Sequence, residues 1–309
     1  MKVSIITINY NSSRHTIKLI DSILSNLPDN IEYEIIITDN ASSDDDYEFL
    51  ENNISKSSKI NIFRSSTNTG FSGGNMHGYS KSTGEYLLFI NNDCELLNDV
   101  ITPLINFMEK EKSIGLLTGK VYGEDGKYTG THKLFPSLSK SLFGSKVSRM
   151  IKKNKFVSSK LPVDKPIAVE VVTGAFMFFR RDIFIEVNGF DTLFFLDCEE
   201  EDISKRIWNT GKKVYMIPEP EVLHKHGGSK DGGVDLRNEY YISYKKLIFK
   251  HYNVVYAVLM LFMVYLKILK LLVYGRCDIS LIELAFKGFP ERYSLRYKQN
   301  VDLSTKIIN

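Results

Sequence analysis

The chain contains little cysteine and only short apolar stretches. Its 309 residues include three cysteines (Cys94, Cys198 and Cys277), an odd number without metal-type spacing, which favours a reducing, cytoplasmic setting. The apolar residues 3–8 are too few for a signal peptide and predict a strand. The uncharged residues 251–266 number about 16, which is short of the roughly 20 that a membrane-spanning helix needs.

Two common nucleotide-binding fingerprints are also missing. The Gly-rich stretch over residues 68–78 has neither G-x-G-x-x-G spacing nor a G-K-[ST] sequence. This absence argues against an NAD-dependent oxidoreductase and against a P-loop kinase. The glycines are equally explained by a helix that packs closely on a sheet. The sequence offers no obvious Ser-His or Cys-His nucleophilic unit.

What the sequence does contain is a regular alternation of strands and helices over its first 118 residues. Predicted strands cover residues 3–8, 34–38, 60–64, 86–90 and 114–118, and predicted helices cover residues 12–26, 44–54 and 99–112. Apolar strands in this order predict an α/β fold with a mostly parallel sheet and helices on both faces. Ligands of such sheets bind at the carboxyl ends of the strands.

The expected organisation is one α/β domain over residues 1–236, followed by a helical tail over residues 237–309. Residues 119–166 are weakly periodic and rich in Gly, Lys and Ser, so they predict a partly irregular insertion that faces the acceptor. There are no internal repeats.

Charge is unevenly distributed between these parts. Residues 1–236 carry 28 basic and 32 acidic side chains, whereas residues 237–309 carry 12 and 5. On one continuous helix, Lys246, Lys250, Lys267 and Lys270 would fall within an arc of about 160°. This favours a tail that lies on an anionic membrane surface, and it argues against nucleic acid as a partner. A packed helix, a dimer contact and a membrane span are the alternatives.

Polar side chains follow four of the predicted strands. They are Thr7, Asn9 and Asn11; Asp39 and Asn40; Asn68 and Gly70; and Asn91, Asn92 and Asp93. One Asp at a strand end is usually a satisfied loop residue. Four sets along one sheet edge predict a polar crevice that holds a nucleotide.

A run of acids and a pair of histidines lie further along the chain. Residues 199–202 (EEED) open a predicted helix, where the helix dipole favours acids for purely structural reasons. The preceding aromatic residues favour a raised pKa, and hence a general base. His224 and His226 follow a short strand. A histidine there is usually structural, although an Asp and a distant His can share one divalent ion.

Seven motifs resemble those of family 2 glycosyltransferases of the GT-A fold, in particular the bacterial rhamnosyltransferase-like branch. They are TINYNS (7–12), TDNASSD (38–44), NTGFSGGNMHG (68–78), LLFINND (87–93), VTGAFMFFRR (172–181), NGFDTLFFLDCEEEDISKR (188–206) and HKHGGS (224–229). They occur in family order and cover roughly residues 2–230. The resemblance implies a Rossmann-like sheet, a nucleotide-sugar donor and a hydroxyl acceptor.

The resemblance also implies roles for individual residues. Asp39 matches the acid that contacts the nucleotide base. Asp93 matches the last acid of the DxD motif, which binds Mg²⁺ or Mn²⁺, and His224 completes the metal or diphosphate site. Asn91 replaces the first acid of DxD, so one charge is missing. The complete set expected to bind the nucleotide sugar is Thr7, Asn9, Asn11, Asp39, Asn68, Gly70, Asn91, Asn92, Thr173, Gly174 and Ala175.

Glu200 matches the second acid of the family's catalytic pair, with Glu199 and Asp202 as its acidic neighbours. Three consecutive glutamates allow a register shift by one, so Glu199 is the alternative base. In this reading Glu200 removes the proton of the acceptor hydroxyl as that hydroxyl attacks the anomeric carbon. One direct displacement inverts the configuration at that carbon.

The leading hypothesis is therefore an inverting hexosyltransferase of bacterial surface polysaccharide synthesis. The donor favoured by the resemblance is dTDP-rhamnose, with a UDP-sugar (galactofuranose, GlcNAc or glucose) as the alternative. The expected acceptor is a polyprenyl-linked saccharide at the cytoplasmic face of the inner membrane, where the tail would hold the enzyme peripherally. A non-catalytic protein that binds glycans or nucleotide sugars is the alternative from another class.

Overall fold

A ten-stranded sheet with helices on both faces forms the centre of the computed structural model, which describes residues 1–151, 158–159, 162–225 and 233–298. The strands are β1 (Lys2–Asn9), β2 (Glu32–Asp39), β3 (Ile60–Arg64), β4 (Tyr86–Ile90), β5 (Cys94–Leu96), β6 (Ile114–Tyr122), β7 (Tyr128–Thr129), β8 (His132–Lys133), β9 (Ile167–Ala168), β10 (Val171–Val172), β11 (Phe176–Arg180) and β12 (Lys213–His224). The helices are α1 (Ser13–Asn26), α2 (Asp44–Asn53), α3 (Gly70–Ser80), α4 (Ile101–Lys110), α5 (Leu138–Ile151), α6 (Arg181–Glu186), α7 (Glu199–Asn209), α8 (Gly233–His251), α9 (Val254–Val273) and α10 (Ile279–Phe286).

The first half of the sheet is parallel, as its apolar strands predict. The strands lie in the order β3-β2-β1-β4, and all three neighbouring pairs are parallel. Successive side chains enter opposite cores: Ile5 packs under α1 and α4, and Ile6 packs on the face covered by α6 and α7. Burial on both faces explains why these strands are continuously apolar. The predicted α/β fold class is confirmed.

The second half of the sheet begins with an antiparallel strand, β11, in the middle of the whole sheet. β11 lies between β4 and β6 and runs antiparallel to both. Its phenylalanines are buried: Phe176 and Phe178 lie in one core and Phe179 in the other. This arrangement brings the residues just before β11 to the carboxyl end of β4. The backbone N–H of Asn91 donates to the backbone carbonyl of Ala175 at 3.0 Å.

The insertion has more regular structure than its weak periodicity indicates. β6 continues to Tyr122, and β7 folds back on it. β8 pairs with β10 in a separate two-stranded sheet. The helix α5 is kinked at Gly144, which has a φ of 77°.

The tail packs against the domain through α8. Leu247 of α8 packs with Phe194 and Cys198, which precede α7. The hydroxyl of Ser243 donates to the carbonyl of Leu196 at 2.8 Å. The loop before α7 is therefore held between the domain and the tail.

The predicted arc of tail lysines is wrong, because the tail is not one continuous helix. The chain breaks between α8 and α9, and the Asn253 side chain caps the start of α9 by accepting from the amide of Tyr256 at 2.9 Å. Lys246 pairs with Glu291 at 2.9 Å, and Lys250 pairs with Asp191 at 2.6 Å. These two lysines face protein partners, so of the four lysines in the predicted arc only Lys267 and Lys270, both exposed on α9, remain without such a pairing among the described ion pairs.

Candidate functional site

Asn9 is the centre of a buried hydrogen-bond network at the end of β1. Parallel pairing places Asn9 opposite Asp39. The Asn9 amide donates to Asp39 at 2.9 Å, to Asp46 at 2.9 Å and to Ser42 at 3.1 Å, and its carbonyl oxygen accepts from Thr16 at 2.8 Å. Asn9 is therefore buried, and its hydrogen bonds join the end of β1 to the end of β2 and to α1 and α2.

Asp39 and Thr7 are enclosed as well. The Asp39 carboxylate accepts from the amide of Ser42 at 3.2 Å, and the Arg64 guanidinium lies 3.6 Å away. Both Asp39 and Thr7 have an exposure of 0%. Asn11, by contrast, is exposed in a left-handed conformation, and its side chain accepts from the amide of Ser43 at 2.8 Å. Of these four residues, Asn11 is the one that reaches solvent.

The Asn68–Gly70 turn is tied to the end of β2 and to the loop before α7. Asn40 donates to the Asn68 side chain at 2.8 Å and to the Gly70 carbonyl at 3.1 Å. Gly70 has a φ of 74°, and a Cβ there would lie 2.1 Å from the carbonyl oxygen of Phe195. Glycine is therefore required at this position because two backbone segments meet there.

Asp93 and His224 come together at the end of β4. Pairing of β5 with β12 places His224 opposite Cys94, and the His224 Nε2 lies 3.1 Å from the Asp93 carboxylate. One ligand atom from each of Asp93, Cys94 and His224 lies within 4.8 Å of the others. Burial, with a smaller contribution from Asp93, raises the pKa of the Cys94 thiol well above its usual range. The Cys94 sulfur is buried and contacts the Ala175 carbonyl at 3.6 Å, whereas the Asp93 carboxylate and the His224 imidazole are both partly exposed.

The neighbouring asparagines differ in their surroundings. Asn92 donates to the hydroxyls of Ser12 at 2.7 Å and Thr16 at 2.9 Å, so its side chain fastens the β4 end to α1. Asn91 is partly exposed, and its backbone pairs with Ala175. His226 lies outside the described residues.

The residues 173–175 connect the Asp93 region with the acids of α7. The Ala175 carbonyl accepts from the amide of Asn91, and the Cys94 sulfur lies 3.6 Å from it. A Cβ added at Gly174 would lie 3.5 Å from the Phe71 ring and 4.0 Å from the Glu199 carboxylate. The predicted donor-sugar segment therefore adjoins the turn that contains Asp93 on one side and Glu199 of α7 on the other.

Four consecutive carboxyl groups are buried in the first turn of α7. Glu199, Glu200, Glu201 and Asp202 have exposures of 5%, 8%, 8% and 0%. The helix begins after Asp197 and Cys198, which are both in the left-handed conformation. The start of a helix carries a partial positive charge, which stabilises carboxylates there.

Two of the three glutamates, Glu200 and Glu201, share one cation, Lys133 of β8. Its amine lies 2.6 Å from Glu200 Oε1 and 2.9 Å from Glu201 Oε1. The Oε2 atoms of Glu199, Glu200 and Glu201 are buried without a hydrogen-bond partner in the described part of the chain. Such atoms are costly unless a ligand satisfies them, and this points to a binding site.

Burial and mutual repulsion raise several pKa values in this cluster. Burial and the charge of Glu200 raise the pKa of Glu199 well above its usual range, and they raise the pKa of Glu201 as well. The same two causes raise the pKa of Asp197 to about 7. The Glu200 and Glu201 carboxylates hold the pKa of Lys133 well above its usual range, although burial opposes this. Shifted groups of this kind are typical of catalytic sites.

Asp202 differs from its three neighbours because its carboxylate is satisfied by protein cations. It accepts from the Arg206 side chain at 2.9 Å and lies 2.7 Å from His251 and 2.5 Å from Lys250. Burial raises the Asp202 pKa, but the bonds from His251, Arg206 and Lys250 outweigh it and lower the value to about 2. Asp202 therefore joins α7 to the end of α8.

Sequence reasoning missed Lys133, because nothing in the weakly periodic insertion connects it to acids 67 residues away. It also missed Arg64 beside Asp39, although Arg64 directly ends the predicted third strand. A search for single cations near strand ends would have found Arg64 but not Lys133.

Comparisons with known proteins identify the family of the chain. A model of "Glycosyl transferase family 2" matches residues 4–187. The chain is 28% identical over 148 residues to the rhamnosyltransferase WbbL of Escherichia coli K12, covering 47% of this chain and 54% of that protein. It is 28% identical over 128 residues to a poly(ribitol-phosphate) beta-glucosyltransferase of Bacillus spizizenii, covering 41% and 20%. The chain thus spans about half of the first relative and a fifth of the second.

Solved structures share the fold. GalNAc-T7 with UDP, GalNAc and Mn²⁺ superimposes with a TM-score of 0.54 at 19% identity, covering 79% of this chain and 47% of that one. Staphylococcus aureus TarS 1–349 with UDP gives a TM-score of 0.52 at 14% identity, covering 80% and 64%. These identities establish a common fold.

The contrast between Glu199 and Asp202 predicts opposite effects on stability. A carboxyl group whose pKa is raised by folding loses stability as pH rises above its unfolded value of about 4.3. Glu199→Gln should therefore raise the melting temperature by about 2 °C or more at pH 8 and leave it unchanged near pH 4.

Asp202→Asn should instead cost about 3–5 kcal/mol at pH 8, because it leaves buried cations without their partner. This cost should shrink as pH falls below about 4 toward the Asp202 pKa of about 2. Thermal melts of both variants between pH 3 and 8 test the pair, and equal destabilisation by both would contradict the assignment.

Proposed function

Because the chain belongs to glycosyl transferase family 2, we propose that it transfers a sugar from a nucleoside-diphosphate donor to an acceptor hydroxyl, with inversion at the anomeric carbon. The observation that carries the proposal is the arrangement around residues 173–175. On one side lies the Asp93–His224 pair, and on the other lie buried glutamates with unpartnered oxygens. The first group suits a diphosphate with its cation, and the second suits a hydroxyl that must lose a proton.

Asp93 and His224 fit a divalent cation. Their carboxylate oxygen and imidazole nitrogen are 3.1 Å apart, and both side chains are partly exposed. Oxygen with one imidazole nitrogen suits Mn²⁺ and is acceptable to Mg²⁺. When bound, such an ion offsets the negative charge that develops on the leaving diphosphate. Asn91, in place of an acid, contributes an amide without charge.

Because Asp39 is enclosed, its proposed contact with the nucleotide base requires an opening at the end of β2.

Glu200 is the proposed general base. Lys133 occupies its Oε1, and its Oε2 is buried without a partner in the described residues. That second oxygen accepts the proton of the acceptor hydroxyl as the hydroxyl attacks. Glu199 lies beside Gly174 and is the alternative base. We assign Asp202 a supporting role because its carboxylate already binds the cations of Arg206 and Lys250 and the ring of His251.

The proposed donor is dTDP-rhamnose, supported by the similarity to the Escherichia coli rhamnosyltransferase. A UDP-sugar is the second candidate, supported by the UDP in the structures of TarS and GalNAc-T7. A non-catalytic binding protein is less well supported. Three glutamates crowded into a buried turn lower stability, and simple binding gives no reason to keep all three.

A panel of nucleotide sugars tests the proposal. Slow hydrolysis and a rise in melting temperature are expected with one class of donor in the presence of Mn²⁺ or Mg²⁺, and both should disappear with a chelator. Asp93→Asn should lower turnover at least 100-fold, whereas Asp125→Asn, in an exposed turn, should change nothing. Full activity of Asp93→Asn in the chelator would contradict the metal role.

We further propose that α9 holds the enzyme on the cytoplasmic face of the inner membrane, close to a polyprenyl-linked acceptor. In the described chain, one helix, α9, is long and apolar enough by length and composition to cross a membrane, with a mean hydropathy of 2.1. One face of α9 packs on protein through Ala257, Met260, Val264 and Ile268. A helix with one packed face is better suited to lie in the interface than to span it.

The opposite face of α9 is apolar and exposed. The nine exposed apolar side chains of α9 fall within an arc of about 140°: Val254, Val255, Val258, Leu259, Phe262, Leu266, Leu269, Leu272 and Val273. Lys270 borders this arc. The kinked helix α5 lies beside α9 and exposes Leu142, Phe143 and Met150. Neither helix contains an acid, so the joint surface suits anionic headgroups.

Vesicle binding tests the membrane proposal. Phe262→Glu should weaken binding to phosphatidylglycerol-containing vesicles about 10-fold or more, because burial of a Phe is worth about 1.5–3 kcal/mol. Ile185→Glu is the matched control, since both side chains are 55% exposed and Ile185 lies on α6. Equal binding of both variants would contradict the proposal. Point variants are preferable to deletion of the tail, because deletion also removes the partners of Asp202.

A further inference from the structure

The insertion reaches the acids of α7 through a two-stranded ribbon. β8 pairs with β10 so that Lys133 lies opposite Val171 and His132 lies opposite Val172. The Thr173 amide continues the ribbon by donating to the Thr131 carbonyl at 3.0 Å. The same ribbon therefore fixes the backbone that carries Lys133 and the start of the proposed donor-sugar segment.

Lys133 binds one oxygen of each of two glutamates. Its amine is within hydrogen-bond distance of Oε1 of both Glu200 and Glu201, and the Oε2 atoms of both are buried without a partner in the described residues. The Lys133 side chain is 37% exposed, so solvent reaches part of it beside the ribbon. The contact thus distinguishes the two oxygens of each carboxylate.

Among the described residues, the other charged or titratable groups around Glu200 are acids, phenols and one thiol. They are Asp197, Cys198, Glu199 and Glu201 at the start of α7, and Glu239, Tyr240 and Tyr244 on α8. Every ion pair that the described residues form with the three glutamates involves Lys133. Without its amine, no cationic side chain among the described residues would pair with these glutamates, and only the partial positive charge of the helix start would favour a carboxylate there.

We propose that Lys133 is a positioning residue for Glu200: it binds one carboxylate oxygen and leaves the second to receive the proton of the acceptor hydroxyl. This inference rests on the proposed function. In the step, the acceptor oxygen forms a bond to the anomeric carbon and its proton passes to Glu200 Oε2. The bond from the anomeric carbon to the diphosphate oxygen breaks, and its electron pair leaves with the nucleoside diphosphate.

Lys133→Met, Lys133→Arg and Lys127→Met test this role. Lys127 is the matched control, because it lies in the same insertion, is 82% exposed and pairs only with Asp125 among the described ion pairs. Lys133→Met should lower kcat about 100-fold and leave the affinity for the donor nucleotide within about twofold of wild type. The acidic limb of the kcat profile should move to higher pH. Lys133→Arg should recover most of the loss, and Lys127→Met should match wild type.

A second readout does not depend on activity. The melting temperature of Lys133→Met should fall further below wild type at pH 8 than at pH 5, because the two glutamates lose their cation and must carry protons. An equal deficit at both pH values would overturn the inference, as would an unchanged kcat. An equal loss of kcat and donor affinity would overturn it too, because Lys133 would then be a donor ligand.

These readouts separate failure of the inference from failure of the proposed function. Wild-type protein that turns over no donor in the panel would overturn both, even if the pH-dependent melting deficit of Lys133→Met were observed. Wild-type turnover together with an unchanged kcat in Lys133→Met would overturn the inference alone.

Discussion

Four carboxyl groups in a row are buried at the start of α7, and much of the surrounding structure balances their charge. The partial positive charge of the helix start offsets only part of it. Lys133 compensates Glu200 and Glu201. The cationic side chains of Arg206 and Lys250 compensate Asp202, which also forms a hydrogen bond with His251. The three glutamates keep unpartnered oxygens, whereas Asp202 is fully engaged. One helical turn therefore combines three glutamates that can still accept hydrogen bonds, among them the proposed base, with an aspartate that binds the surrounding protein.

This charge balance connects the insertion (residues 119–166) and the tail (residues 237–309) to the site. The insertion contributes Lys133, and the tail contributes Lys250 and His251. The exposed apolar faces of α5 and α9 belong to these same two segments. The surface proposed to bind a membrane and the side chains that hold the acids therefore belong to the same two segments of the chain.

The parallel half of the fold could be predicted because its information is local. Continuous apolar strands such as Lys2–Asn9 and Glu32–Asp39 are recognisable from their own residues, and their register aligns the polar ends. The direction of β11 and the ion pairs of Lys250 depend on contacts between distant residues. Periodicity carries no such information, which is why Asn9 was expected to face a ligand and is instead a buried support.

The assignment of the base is the central claim, and a comparison of Glu200→Gln with Glu199→Gln tests it most directly. With a donor identified, kcat for transfer and the affinity for the donor nucleotide should be measured for both variants. The account predicts that Glu200→Gln lowers kcat by about 1,000-fold with unchanged donor affinity, and that Glu199→Gln retains substantial turnover. Retention of activity by Glu200→Gln, with its loss in Glu199→Gln, would contradict the account.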